Sequence, residues 1–160
     1  MTRLHLVMLA TAGSAALLLG AFAFQHIGGM APCKMCIWQR YPHVIALLIG
    51  LVALKLQSRL LILLGALSVF ATGAVGVFHV GVEQGWWQGP TTCSSGPIGG
   101  KTADELLDQI LTAPLVRCDE IAWEILGISM AGWNALISFA LVILWLMALR
   151  RAAPKKIFGC

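Results

Sequence analysis

The stretch LLILLGALSVFATGAVGVFHVGV, residues 60–82, carries no formal charge from end to end. About 20 apolar residues at 1.5 Å of rise each cross a ~30 Å hydrocarbon core, so this run can span a bilayer as one helix. Two other runs are of comparable length: residues 4–24, broken only by His5, Thr11 and Ser14, and residues 131–149. The run at 41–54 is too short alone. It becomes a span if the helix starts near Cys33 and Lys55 snorkels at the far end. The expected fold is therefore an all-α integral membrane protein, a four-transmembrane-helix bundle forming a single membrane domain over residues 1–160. Its spans fall at about 4–24, 33–56, 60–82 and 131–149, with outer loops at about 25–32 and 83–130.

Composition agrees. Of 160 residues 59% are hydrophobic and 11% charged, with a mean hydropathy of +0.85, against roughly 25% charged in a soluble domain. A disordered tail, a collagen-like fibre and an ordinary soluble enzyme are excluded. All seven acids, Glu83, Asp104, Glu105, Asp108, Asp119, Glu120 and Glu124, fall between positions 83 and 124. Arg3, Lys55, Arg59, Arg150, Arg151, Lys155 and Lys156 flank the apolar runs instead. No basic patch is interleaved with aromatics, so no nucleic-acid partner is expected; the partner surface is the lipid bilayer. The positive-inside rule puts both termini and the Lys55–Arg59 turn in the cytoplasm. Arg3, the apolar run and Ala21-Phe22-Ala23 also resemble a cleaved signal peptide. The run is longer than the apolar region usual in such a segment, which favours an uncleaved first helix. Ser68, Thr72 and Gly76, four apart, give the third span a strip for close, structural helix packing.

On this topology Cys33, Cys36, Cys93 and Cys118 share the outer face, while Cys160 is a cytoplasmic bystander. Thiols in an oxidising outer compartment pair as disulfides. Three readings compete: a zinc site, two inert disulfides, and a redox relay. Zinc is disfavoured because the lone Cys-x-x-Cys is followed only by the distant singletons Cys93 and Cys118, which is no compact ligand spacing, so no metal is expected. The surroundings of Cys33-Lys34-Met35-Cys36 favour the relay. A Cys-x-x-Cys disulfide closes a very small ring, adds little stability, and leaves its sulfurs available for exchange. Pro32 suits the first turn of a helix, whose N-terminus stabilises thiolate. Arg40 lies one turn below Cys36 with no acid nearby in sequence. An arginine there snorkels to headgroups or shares its charge with a thiolate and an acceptor reached from the lipid. A membrane quinone fits the second role.

In the outer loop, Ser94, Ser95, Gly96, Pro97, Gly99 and Gly100 form a flexible stretch after Cys93. Thr102-x-x-Glu105 reads as a capping box opening a short amphipathic helix with Ala103, Leu106, Leu107, Ile110 and Leu111 at 3–4 spacing, closed by Pro114. That helix lies on the membrane surface or packs on the tops of the spans. Trp86, Trp87 and Trp133 read as interfacial anchors.

Pro32-Cys33-Lys34-Met35-Cys36, with Gln39-Arg40-Tyr41-Pro42 heading the second span, resembles the DsbB disulfide bond formation proteins. The resemblance continues through Gly81-Val82-Glu83, Gly89-Pro90-Thr91-Thr92-Cys93, Cys118-Asp119 with Trp123, and Leu126 to Asn134. It covers nearly the whole chain in order. It implies a bacterial inner-membrane enzyme that re-oxidises a periplasmic thioredoxin-like oxidase of the DsbA type and draws on the membrane quinone pool, ubiquinone or menaquinone. That couple's part in keeping the periplasm oxidising is established for the family. Carried over, Cys93 takes the partner's attack, Cys118 resolves toward the first pair through Cys33, and Cys36 meets the quinone beside Arg40. Some members place a histidine just after the glutamate ending the third span, where this chain has Gln84. Glutamine can hydrogen-bond a quinone oxygen but carries no proton as imidazolium. His79, about one turn earlier, is a substitute or a plain polar helix residue. Two rivals remain. The vitamin K epoxide reductase type places its quinone-facing pair late in the chain, whereas the pair here comes early. A non-enzymatic cysteine-rich membrane subunit would need no quinone.

Overall fold

The computed structural model describes residues 1–90, 102–112 and 116–152. Cys93, the 94–100 stretch, Pro114, Lys155, Lys156 and Cys160 lie outside these residues. Four helices are long and apolar enough to cross a membrane: α1 (Arg3–His26), α2 (Lys34–Leu56), α3 (Arg59–Glu83) and, after a short α4 (Ala103–Thr112), α5 (Met130–Arg150). They close into a ring in which α1 and α3 each lie between α2 and α5.

Three of the four spanning helices, α1, α2 and α5, start at a capping side chain. Thr2 caps α1 by accepting from the His5 N–H, and Ser129 caps α5 by accepting from the Gly132 N–H. The cap of α2 is a sulfur: Cys33, in extended conformation, accepts from the Cys36 N–H at 3.1 Å. Pro32 therefore precedes the cap, two positions before the first helical residue, Lys34, where the first turn expected for it begins. At the other end only Gln57 and Ser58 separate α2 from α3. Gln57 is left-handed (φ 50°), and its side-chain amide donates to the carbonyls of Ala53 and Leu54, both at 3.1 Å. The Ala53 carbonyl also accepts the Gln57 backbone N–H at 2.9 Å, so the side-chain amide matters most for the Leu54 carbonyl at the open end of the helix.

The core sits toward this connection. Leu6, Val7 and Ala10 of α1 meet Ala46 and Ala53 of α2, Ile62, Ala66 and Val69 of α3, and Leu141, Trp145 and Ala148 of α5. Small residues admit the bulky ones. Trp145 is fully buried against Gly65, and Gly76 faces Ala135. The outward side chains, among them Leu48, Leu51, Leu67, Phe70 and Ile143, are large, apolar and exposed, as a lipid-facing surface requires. Of the expected packing strip, Gly76 and Thr72 are buried and Ser68 half-buried. Thr72 has a polar duty as well, described below.

Outside the spans, α4 opens on the expected capping box. The backbone N–H and hydroxyl of Thr102 donate to Glu105 at 2.8 and 2.9 Å, and the Glu105 N–H donates back to Thr102. Leu107 and Leu111 are exposed. A two-stranded antiparallel hairpin, β1 (Glu124–Ile125) and β2 (Ile128–Ser129), leads into α5. Leu126 and Gly127 have φ of 55° and 73°, the two left-handed residues of a type I′ turn. Sequence reading misses it because a leucine at the first such position carries none of the usual Asn-Gly signal.

A Cβ at Gly65 would stand 2.7 Å from the Trp145 ring. Gly65→Val is expected to cost about 1–3 kcal/mol by overpacking, seen as a lower midpoint of thermal unfolding in detergent. An unchanged midpoint would mean that the α3–α5 seam is slack.

Candidate active site

Two segments bring three sulfurs together at the end of the bundle away from Gln57. Cys33 is the cap of α2, Cys36 sits in its first turn, and Cys118 lies on the segment between α4 and the hairpin. Cys33 and Cys118 are buried, Cys36 is half-buried, and all three are free thiols. The Cys33 thiol donates to the Cys36 sulfur at 2.7 Å. Val82 and Met35 wall the cluster in.

His79 of α3 stands between the two loops. Its Nε2 is 3.7 Å from the Cys33 sulfur, 3.2 Å from the Cys118 carbonyl oxygen and 3.8 Å from the Glu83 carboxylate. The donor atoms of Cys33, His79 and Cys118 all lie within 4.8 Å of one another. Sequence spacing, which pointed away from any compact ligand set, could not reveal this cluster because it forms only across the fold. Glu83 accepts from the Ser129 hydroxyl, tying the end of α3 to the cap of α5. His79 and Glu83 line a small cleft of about 60 Å³ with Cys33 and Cys36.

From His79 a chain of hydrogen bonds runs into the membrane-spanning region. The Gln39 amide donates to His79 Nδ1 at 2.9 Å and to the Met35 carbonyl at 3.2 Å. The Asn134 amide donates to Gln39 Oε1 at 2.7 Å and to the Thr72 hydroxyl oxygen at 3.3 Å. Thr72 gives its own proton to the Gln39 carbonyl at 2.8 Å. Asn134 Oδ1 is left to accept from His43 Nε2 at 3.0 Å, and Ser138 lies beside it. Every donor along this path has one direction, which fixes both histidines: neutral His79 carries its proton on Nε2, facing the thiols, and neutral His43 carries its proton on Nε2, facing Asn134. His43 Nδ1 is buried with no partner among the described residues.

Beside this path lies a cavity of about 280 Å³ between α1, α2 and α5. Its walls are apolar (Leu17, Ala21, Phe24, Ile137), Trp123 and Trp133 lie toward its outer end, and Cys36, Gln39, Arg40, His43 and Asn134 supply its polar atoms. An apolar cavity of about 150 Å³ admits benzene, so a substituted six-membered ring has room here. Arg40 donates to the Gln25 side chain and, at 3.3 Å, to the Ala21 carbonyl, with its guanidinium 5.2 Å from the Phe22 ring centre. Among the described residues no carboxylate pairs with it.

The expected site residues separate accordingly. Cys33, Cys36, Cys118 and Arg40 come together. Gln84, expected to reach a bound ring, does not: as the C-terminal cap of α3 it is exposed and lines neither cavity. The helix ends at Glu83, so the side chain after it turns outward, and His79 one turn earlier faces the sulfurs instead. Trp87 lies over Gly81 and donates to the Phe78 carbonyl at 2.9 Å, away from the cavity, whereas Trp133 lines it. Gln39, His43 and Asn134 escape sequence reasoning as site residues; their signal is polarity inside otherwise apolar spans, a mark of function in membranes.

The comparison with protein families decides what this arrangement belongs to. The family described as "Disulfide bond formation protein DsbB" matches residues 3–148. The chain belongs to the DsbB family. It is 29% identical to disulfide bond formation protein B of Polaromonas sp. strain JS666 over 98% of its own length and 95% of the relative's. It is 32% identical to that of Pasteurella multocida over 89% and 86%, and 34% identical to disulfide bond formation protein B 2 of Pseudomonas aeruginosa PAO1 over 84% and 79%. With its four spans, this DsbB-family chain is a multi-pass membrane protein.

Two outcomes are expected. Gln39→Leu strands His79 Nδ1 and an Asn134 N–H together, and should lower stability by about 1–3 kcal/mol in thermal unfolding. An unchanged midpoint would show that the path carries no stability. Next to Cys118, the Arg117 guanidinium hydrogen-bonds Asp119 at 2.7 and 3.0 Å and holds its carboxyl below the ordinary range. A depressed carboxyl contributes order above its unfolded pKa and loses it as pH falls through the folded value. Amide hydrogen exchange at 117–120 should therefore rise, after correction for intrinsic rates, only below the usual carboxylate range, and Arg117→Gln should move that onset upward.

Proposed function

We propose that this chain is a disulfide oxidoreductase of the bacterial inner membrane. It re-oxidises a periplasmic DsbA-type dithiol protein and delivers the electrons through Cys93–Cys118 and Cys33–Cys36 to membrane quinone, ubiquinone or menaquinone. Both termini and the Gln57–Ser58 link face the cytoplasm, and the sulfurs face the periplasm. The observation that carries this reading is the cavity in which Cys36 and Arg40 meet apolar walls within the span region.

The donor set suits a quinone head. A flat ring needs apolar faces and polar contacts at two opposed edges; the cavity has the walls, a guanidinium, side-chain amides and a partnerless buried imidazole nitrogen. When bound, a quinone supplies a lipid-dissolved acceptor of two electrons and two protons. The rest is done by the chain. Thiol–disulfide exchange proceeds by thiolate attack on a disulfide sulfur. Cys118, buried within reach of Cys33, is the resolving thiol between the two pairs. Cys33, capping α2, is buried, and Cys36 lines the cavity. His79 holds the Cys118 carbonyl and presents its Nε2–H to the Cys33 sulfur, so both loops are registered against one ring. Arg40 brings a fixed positive charge to the edge of the cavity where negative charge arises.

The test is a steady-state assay in lipid nanodiscs with a reduced thioredoxin-like dithiol and a short-chain quinone, followed by quinone absorbance. Arg40→Gln should lower kcat/KM for quinone about ten- to a hundredfold, the worth of a charge-assisted hydrogen bond, while both disulfides still form. Equal rates in parent and variant would remove Arg40 from the site. Thiols that re-oxidise as fast with no quinone present would overturn the proposal.

A further inference from the structure

His43 is 2% exposed, lines the cavity, and its Nδ1 has no hydrogen-bond partner among the described residues. A buried polar atom without a partner costs about 1–3 kcal/mol, and of the atoms in that state among the described residues only His43 Nδ1 belongs to a residue that lines the cavity, where a ligand's donor would recover that cost. The direction of the path fixes what the atom can do. Thr72 gives its only proton to the Gln39 carbonyl, so it accepts from Asn134. Asn134 spends its two N–H groups on Thr72 and Gln39, so its oxygen faces His43 and takes the Nε2–H. In the neutral ring Nδ1 is thus a bare lone pair, an acceptor only. The groups around it, Asn134, Ser138, Gln39, Cys36 and Arg40, include no carboxylate.

We propose that His43 reads the redox state of the ring in this cavity: Nδ1 accepts a hydrogen bond from the hydroxyl of a hydroquinone and offers nothing to the carbonyl of a quinone. The inference rests on the quinone reading above. In net terms, dithiol plus quinone gives disulfide plus hydroquinone, so two electrons and two protons leave the sulfurs and reach the ring oxygens. An oxygen that only accepts becomes one that also donates, and the lone pair of His43 is complementary to the second form alone. Tighter binding of the reduced form pulls the exchange toward disulfide. Arg40, a donor only, serves an oxygen in either state.

The test uses the full chain in nanodiscs in a Cys33→Ser background, where no electrons are exchanged. Ubiquinone-1 and its hydroquinone are titrated anaerobically, and quenching of tryptophan fluorescence reports binding through Trp123 and Trp133. The parent should bind hydroquinone more tightly than quinone. His43→Leu should weaken hydroquinone binding about three- to tenfold and leave quinone binding unchanged, the worth of one neutral hydrogen bond. His43→Gln, which keeps a donor for Asn134 and a carbonyl acceptor, should retain the preference. A parent without the preference overturns the role of His43 even if the leucine variant does not fold, and so does a leucine variant with the parent's ratio of affinities. A parent that binds neither form overturns the quinone reading itself.

Discussion

Water is absent from the middle of a bilayer, so every polar group there must find its partner within the protein. The Gln39–Asn134 amide pair answers that constraint, and much of the molecule is arranged around it. The two amides join α2 to α5, and Thr72 of α3 ties into the same knot. An amide has two faces of opposite character, so a chain of them transmits direction: once Thr72 commits its proton, each later donor and acceptor is settled. Two histidines at opposite ends of the path are thereby given opposite duties. One holds its N–H between the Cys118 carbonyl and the Cys33 sulfur, and the other, in a ring that lines the apolar cavity, keeps a lone pair without a partner among the described residues.

The thiol end rests on a second economy of parts. The Cys33 sulfur is at once the cap of α2, the hydrogen-bond donor to Cys36 and the neighbour of Cys118. A serine would cap the helix as well but could not exchange electrons. Placing that sulfur in the cap means that its backbone, and so the start of the helix bearing Arg40 and His43, is registered against Cys36. Glu83 and Ser129 close the same end from the other side. The cap of α5 is bound to the last residue of α3, and the segment carrying Cys118 is held to α3 by the His79–Cys118 hydrogen bond.

Most of the architecture was legible in the sequence because apolar length is a strong signal. The four spans, the capping box at Thr102 and the grouping of Cys33, Cys36 and Arg40 all follow from spacing along one chain. What escaped depends on contacts between chain segments. Position along the chain favours Gln84, which directly follows Glu83, over His79 one turn earlier, yet α3 ends at Glu83, which leaves Gln84 exposed and His79 buried. Gln39, His43 and Asn134 read as isolated polar interruptions until the helices are assembled, because an amide's orientation is set by its neighbours across the bundle. The hairpin at 124–129 was hidden by a leucine in a conformation that leucine seldom adopts.

The short link at Gln57 and Ser58 has a consequence for how such a molecule is made. With only two residues between them, α2 and α3 are tethered as a tight hairpin as soon as both have been made. Cys33 and His79 are thus brought to the same level of the membrane before α5 has been translated. Asn134 then arrives at a half-built polar track with open positions waiting for it, which gives the last helix one depth and one rotation at which to lock in.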